Sequence, residues 1–156
     1  MADLEGAPGL DAWMERALRA LDAGALRGVV RDIAATARRR TQARMATQTA
    51  PDGTPWAPRR EQETDHNGGG PVRRRAAMMR GLRRARRLRI LAAGDRVAIG
   101  WRGRDGRIAA LHHHGGRDHI VEGRPGTADY PARPLLGWTP EDIAAVRRAL
   151  VLHLTS

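Results

Sequence analysis

The chain reads as an α+β protein: N-terminal helices and a C-terminal helix packed on a small antiparallel β-sheet, with long polar loops between them. Three observations lead there. Apolar residues recur at offsets of three and four near both ends, the spacing of one helix face. In the middle, apolar and polar residues alternate on either side of Gly94-Asp95, the pattern of a hairpin with one wet face. Between these segments lie charged or Gly-rich runs without any period. At 156 residues the chain is one domain, with residues 1–9 as a flexible tail and 10–156 as a single α+β domain in which 59–71 and 115–128 are loops or arms.

The elements follow in order. Leu10, Trp13, Met14, Ala17, Leu18 and Leu21 share one helical face, and Asp22-Ala23-Gly24 then looks like a stop, because Gly is favoured just past a helix end. Leu26, Val29, Val30, Ile33 and Ala37 resume the period in a second helix that runs to the neighbourhood of Gln48. Its basic end, Arg38-Arg39-Arg40 with Arg44, suits the negative pole of a helix dipole. A helical hairpin and one long kinked helix fit this region equally well. Ala50-Pro51-Asp52-Gly53 is a turn: Pro presets φ, Asp bonds the following backbone, and Gly takes a positive φ freely. Pro55 to Pro58 continues extended, and the charged, Gly-rich stretch from Arg59 to Pro71 is read as a flexible loop.

Ala76, Met78, Met79 and Leu82 suggest a short helix within the arginine-rich segment. Leu88 and Ile90, then Val97, Ile99 and Trp101, alternate with polar or small residues as two strands of a hairpin. Arg102 to Arg107 reads as a polar turn. Ile108 to His112 is short and apolar, open to strand or helical turn, and residues 117–128 are a polar loop or hairpin arm. Tyr130 to Gly137 is extended and proline-punctuated. A helix then starts on a full signal: Thr139 as N-cap, Pro140 at the first position, and Glu141 and Asp142 in the first turn. Ile143, Val146, Leu150 and Leu154 form its apolar stripe.

Composition narrows the function classes. Hydrophobic residues make up 41% but aromatics only 3%, with no Phe, so the core is one of Ala, Leu, Val and Ile. With no Cys there is no disulfide and no thiolate metal site. No basic, apolar leader stands at the N-terminus and no apolar run is long enough to span a bilayer, so a cytosolic site of synthesis and no membrane partner are expected. Net charge is +11, and all 28 basic residues are Arg. Arg forms planar, bidentate contacts with phosphate and carboxylate, so the balance implies a polyanionic partner, either nucleic acid or an acidic protein surface.

Candidate chemistry is sparse. His112, His113 and His114, with His119 nearby, invite a metal site, but no carboxylate stands at a spacing that would complete a shell. No nucleophile elbow, zincin motif, P-loop or paired-acid arrangement is present, and Gly100, Gly103 and Gly106 make only a weak phosphate loop. The chain is therefore read as a non-enzyme without cofactor. Residues 71–91 hold nine Arg and no acid. A solvated basic face is the bland reading; a contact surface is the sharper one, because like charges repel when no partner is present. Trp56, between two prolines, is a core plug or an exposed anchor, and the anchor is favoured because loops carry recognition.

Three phrases carry a resemblance: Pro51-Asp52-Gly53-Thr54-Pro55-Trp56-Ala57-Pro58-Arg59, Ile108-Ala109-Ala110-Leu111-His112 with Gly115, and Tyr130-Pro131-Ala132-Arg133-Pro134-Leu135-Leu136-Gly137. In this order they resemble the tail-completion, or virion morphogenesis, proteins of contractile-tailed phages, over residues 26–154. One departure stands after His112, where an aromatic or Gln is expected and this chain has His113 and His114. The resemblance implies a structural protein, similar to tail-terminator and head–tail joining subunits, that acts at the head-proximal end of the tail after assembly in the host cytoplasm. It further implies a homo-oligomeric ring, commonly hexameric, with tail tube, sheath or other tail-end proteins and head–tail connector proteins as neighbours; from its charge, the Arg segment is expected to meet an acidic neighbour or DNA. The interface residues expected on this reading are Trp56, Arg83, Arg84, Arg86, Arg87, Tyr130 and Arg133. The rival is a basic nucleic-acid-binding protein, which lacks a recognition helix or an aromatic-studded sheet. A metal-dependent enzyme using His112 to His119 ranks last.

Overall fold

A computed structural model describes Glu15, Arg19 and residues 23–59, 77–93, 96–120 and 123–154. Within them the chain forms three helices and two small antiparallel sheets. The order is α1 (Ala23–Thr47), β1 (Arg89–Ala93), β2 (Arg96–Gly100), α2 (Gly103–His114), β3 (Gly116–His119), β4 (Thr127–Tyr130) and α3 (Pro140–Leu154). The class is α+β, as the periodicities predict. The sheet, however, is two separate hairpins, β1–β2 and β3–β4.

Helix α1 buries Val29, Ala34, Thr41 and Met45 along one side. The stop expected at Asp22-Ala23-Gly24 is absent at Ala23 and Gly24, which are helical. Gly ends a helix when it turns left-handed, and Gly24 does not. Of the first predicted helix, Glu15 and Arg19 are helical and paired at 3.2 Å; its apolar stripe lies outside the described residues. The real end of α1 is at Gln48, a non-glycine residue at φ +59°. Beyond it the predicted turn forms. Ala50 N–H donates to Thr54 O at 2.8 Å, Asp52 Oδ1 accepts Thr54 N–H at 2.9 Å, and Gly53 sits at φ +85°.

Residues 77–88 depart from the short helix expected there. They form successive hydrogen-bonded turns, Arg83 N–H to Met79 O, Arg87 and Leu88 N–H to Arg84 O. Met79 is left-handed at φ +60°, which interrupts any helix through it. The hairpin β1–β2 pairs Arg89 with Gly100 through to Ala93 with Arg96; the turn residues Gly94 and Asp95 lie outside the described residues. The polar stretch from Arg102 onward is no turn. Gly103 to Arg107 open α2, so the apolar run Ile108 to His112 is helical. Hairpin β3–β4 takes the arm alternative for residues 117–128, pairing Gly116 with Tyr130 and His119 with Thr127.

The core gathers Met45, Ala50, Trp56, Leu82, Leu88, Ala109 and Leu135, with Met78, Met79, Ile99, Trp101, Ile108 and Leu136 packed against it. It therefore sits where the end of α1, the turn after it, the 77–88 turns, α2 and the extended run before α3 meet. Helix α3 lies along α1 and turns Leu150 inward.

Candidate functional site

The three phrases singled out in the sequence meet at one place. Trp56 is buried, and its Nε1–H donates to Pro134 O at 3.0 Å. Arg133 is also buried; its Nε and Nη2 donate to Ala57 O and Pro58 O at 2.8 and 3.0 Å. Its own backbone N–H donates to His112 O at 2.7 Å. His113 Nδ1 accepts Leu135 N–H at 3.1 Å, which requires a neutral ring with that nitrogen unprotonated. Each phrase thus supplies partners for the backbone of another, and the extended run beyond β4 has the backbone groups of Arg133, Pro134, Leu135 and Gly137 paired outside any sheet.

Two glycines permit the approach. A Cβ on Gly115, at φ +72°, would lie 2.8 Å from Ala132 N and 2.9 Å from Tyr130 O. One on Gly137 would lie 2.6 Å from Pro51 Cγ. The electrostatics match this closure. Burial, then the charges of Arg133 and Arg59, push the His112 imidazole down to about 4, so it is neutral at neutral pH. Burial and His114 lower His113 in the same direction. The Tyr130 ring meets His112 edge-on at 5.5 Å.

A second knot ties α3 to α1. Thr139 Oγ1 accepts Asp142 N–H at 3.0 Å and Asp142 Oδ2 accepts Thr139 N–H at 3.1 Å, a reciprocal capping box. The same carboxylate receives Arg44 Nη1 at 2.7 Å and Arg40 Nε. Arg44 also donates to Gly137 O at 3.0 Å. Burial raises the Asp142 carboxyl, but the Arg40 and Thr139 hydrogen bonds and the two guanidinium charges outweigh it, leaving the acid below its usual range.

The predicted contact residues therefore divide. Trp56 takes the core-plug alternative and is no exposed anchor: it is buried, with its indole N–H on Pro134 O. Arg133 is a buried clamp and Tyr130 is half-buried against His112. Arg84 and Arg86 are exposed, Arg83 is half-buried, and Arg87 reaches Asp105 at 3.0 Å. The sequence reading missed Asp142 as an ion-pair centre, with Arg40 and Arg44, and the backbone contacts that Gln42 makes with Arg83, Gln48 with Met78 and His113 with Leu135. Only Asp142 carried a usable signal, its position three residues after a Thr N-cap. Among the described residues no group of His, Asp and Glu is arranged to hold a metal ion, and no helix is long and apolar enough to cross a membrane.

Comparison with known proteins agrees with the phrases that form the first knot. The family model of phage virion morphogenesis proteins matches residues 7–155, reaching further toward the N-terminus than those phrases do. The tail completion protein S of Escherichia phage P2 is 34% identical over 125 residues, covering 79% of this chain and 80% of that protein. No solved structure matches. With its class, its three phrases and the family match over nearly its full length in agreement, the chain belongs to the phage virion morphogenesis family.

Proposed function

We propose that this protein is a structural, non-catalytic component of a phage tail that completes the tail and takes part in head–tail joining, as a subunit of a ring at the head-proximal end. The observation that carries the reading is the likeness to a tail completion protein over four-fifths of both chains. The fold supports it in two ways. Hairpin β3–β4 is exposed along most of its length and braced by Arg117–Asp129 and Arg107–Asp118 pairs. A two-stranded hairpin is marginal alone, so it gains from a neighbouring subunit, and a ring repeats one such heterologous contact until it closes. The arginine turns offer an exposed basic surface to an anionic partner in the particle.

The test is genetic. Disrupting the gene in the phage or prophage that carries it should leave full heads beside unattached tails in negative-stain micrographs, and supplying the wild-type chain should restore joined particles. Replacing Arg83, Arg84 and Arg86 with Gln should fail to restore them while the purified variant keeps its circular dichroism spectrum. Normal joined particles from the disrupted gene would overturn the role.

A further inference from the structure

From residue 77 onward, the arginine-rich segment is not a loose charged loop. Polar groups from other parts of the fold hold it in place. The Gln48 side-chain amide accepts Met78 N–H at 2.7 Å and donates to Met78 O at 3.1 Å, acting as one rung of a strand pair. Gln42 Nε2 donates to Arg83 O at 2.7 Å, and Trp101 Nε1 donates to Leu82 O at 2.8 Å. Arg87 pairs with Asp105 at the start of α2. Leu82 and Leu88 are both buried, pinning the segment at two points along its length. What remains outside is Ala77, Arg80, Arg84, Ala85, Arg86 and Arg89.

From this arrangement we infer that Arg80, Arg84, Arg86 and Arg89 form a preorganised site for the phosphodiester backbone of DNA, read without regard to base sequence. Three features favour phosphate over an acidic protein surface. The buried centre of a protein interface is typically more apolar than its rim, and the exposed part of these turns has no side chain larger than alanine besides arginine. The large apolar groups that are exposed, Trp138, Val151, Leu152 and Ile120, lie on other elements. Among the described residues none of the four arginines has a carboxylate partner. Fixing the backbone lowers the entropy lost when guanidinium forks meet phosphates, whose bidentate geometry Arg matches. No described helix presents these residues to a major groove, and no aromatic face stacks bases, so binding is to the backbone. Such a site needs neither the ring nor a particular place in the tail.

The experiment uses the full-length protein and fluorescein-labelled duplexes of two unrelated sequences, with a single strand and poly-glutamate as further probes, followed by anisotropy from low to moderate salt. Both duplexes should bind alike, with log affinity falling linearly against log salt. Changing Arg80, Arg84, Arg86 and Arg89 to Gln should flatten the slope by about 3 to 4, near 0.9 for each phosphate no longer neutralised. The same four positions changed to Lys should keep the slope. Because a chain of charge +11 attracts any polyanion, the control removes four exposed arginines elsewhere, Arg27, Arg31, Arg147 and Arg148, which should alter the slope far less. Equal flattening by both sets, or poly-glutamate outcompeting the duplexes, overturns the inference. A single strand that binds in place of the duplex would overturn its duplex form.

Discussion

Asp142 shows how much one side chain can hold. It closes the cap of α3 through Thr139 and receives Arg40 and Arg44 from a helix about a hundred positions earlier in sequence. Asp142→Asn keeps the shape and removes the charge, leaving Arg44, itself mostly buried, without a counter-ion. Breaking a buried pair from one side typically costs about 3–5 kcal/mol; with Arg40 partly solvated, a loss of about 2–3 kcal/mol is expected. Urea denaturation should show it as a lower midpoint at unchanged slope. The sequence made half of this visible. Thr139, Pro140 and the acids after them spell a helix start because capping is local. The pairing with Arg40 and Arg44 is not local, and no spacing rule reaches across such a separation. Trp56 teaches the reverse lesson: two flanking prolines say "extended", but whether an extended residue faces in or out depends on what lies opposite it, here Pro134.

At the scale of elements, the helices written as a stripe were legible and those written in glycine were not. Helix α2 begins Gly103-Arg104-Asp105-Gly106 behind Arg102, which supplies no side-chain cap, so every local cue says turn. The run of turns from residue 77 fails in the other direction. Its apolar spacing suits a helix, but Gln42 and Trp101 take two of its carbonyls and Met79 is left-handed. Glycine also separates two substitutions that look alike on paper. Gly28→Ala lies in α1, where an added Cβ meets nothing within 4 Å, and should stabilise by about 0.5–1 kcal/mol through helix propensity. Gly115→Ala forces a methyl group against the backbone of Ala132 and Tyr130 at a positive φ, and should destabilise by about 2 kcal/mol or more. The two variants measured side by side by chemical denaturation should move in opposite directions.

For the molecule as a whole, α+β was legible because the two periods occupy different stretches of chain. The division of the strands into two hairpins was not, since strand patterns do not name their partners. Stability against pH is the property that belongs at this scale. The folded state holds His112 near 4, against 6.5 for a free imidazole. The unfolded chain therefore takes up the proton first as pH falls. Stability should be level above pH 6.5 and decline from there toward pH 4, with His113 adding in the same direction. Asp142 has the same sign but acts lower, being lost only as pH drops below the ordinary carboxylate value of 3.8. Thermal melts across this range should show a decline that begins near pH 6.5 and continues below 3.8, and His112→Leu should reduce its upper part alone.

The clamp between Trp56 and Pro134 also bears on how the chain is made. Its two sides are 78 positions apart, and a ribosome adding about 5–20 residues per second needs roughly 4–16 s to cover that interval. Throughout it Trp56 lacks its carbonyl, Ala57 and Pro58 lack Arg133, and Leu135 is missing from the core. A nascent or truncated chain therefore leaves its tryptophan uncovered, where chaperones and proteases can find it. Closure waits for the final stretch, so a chain that has acquired its finished surface is one whose translation has reached α3.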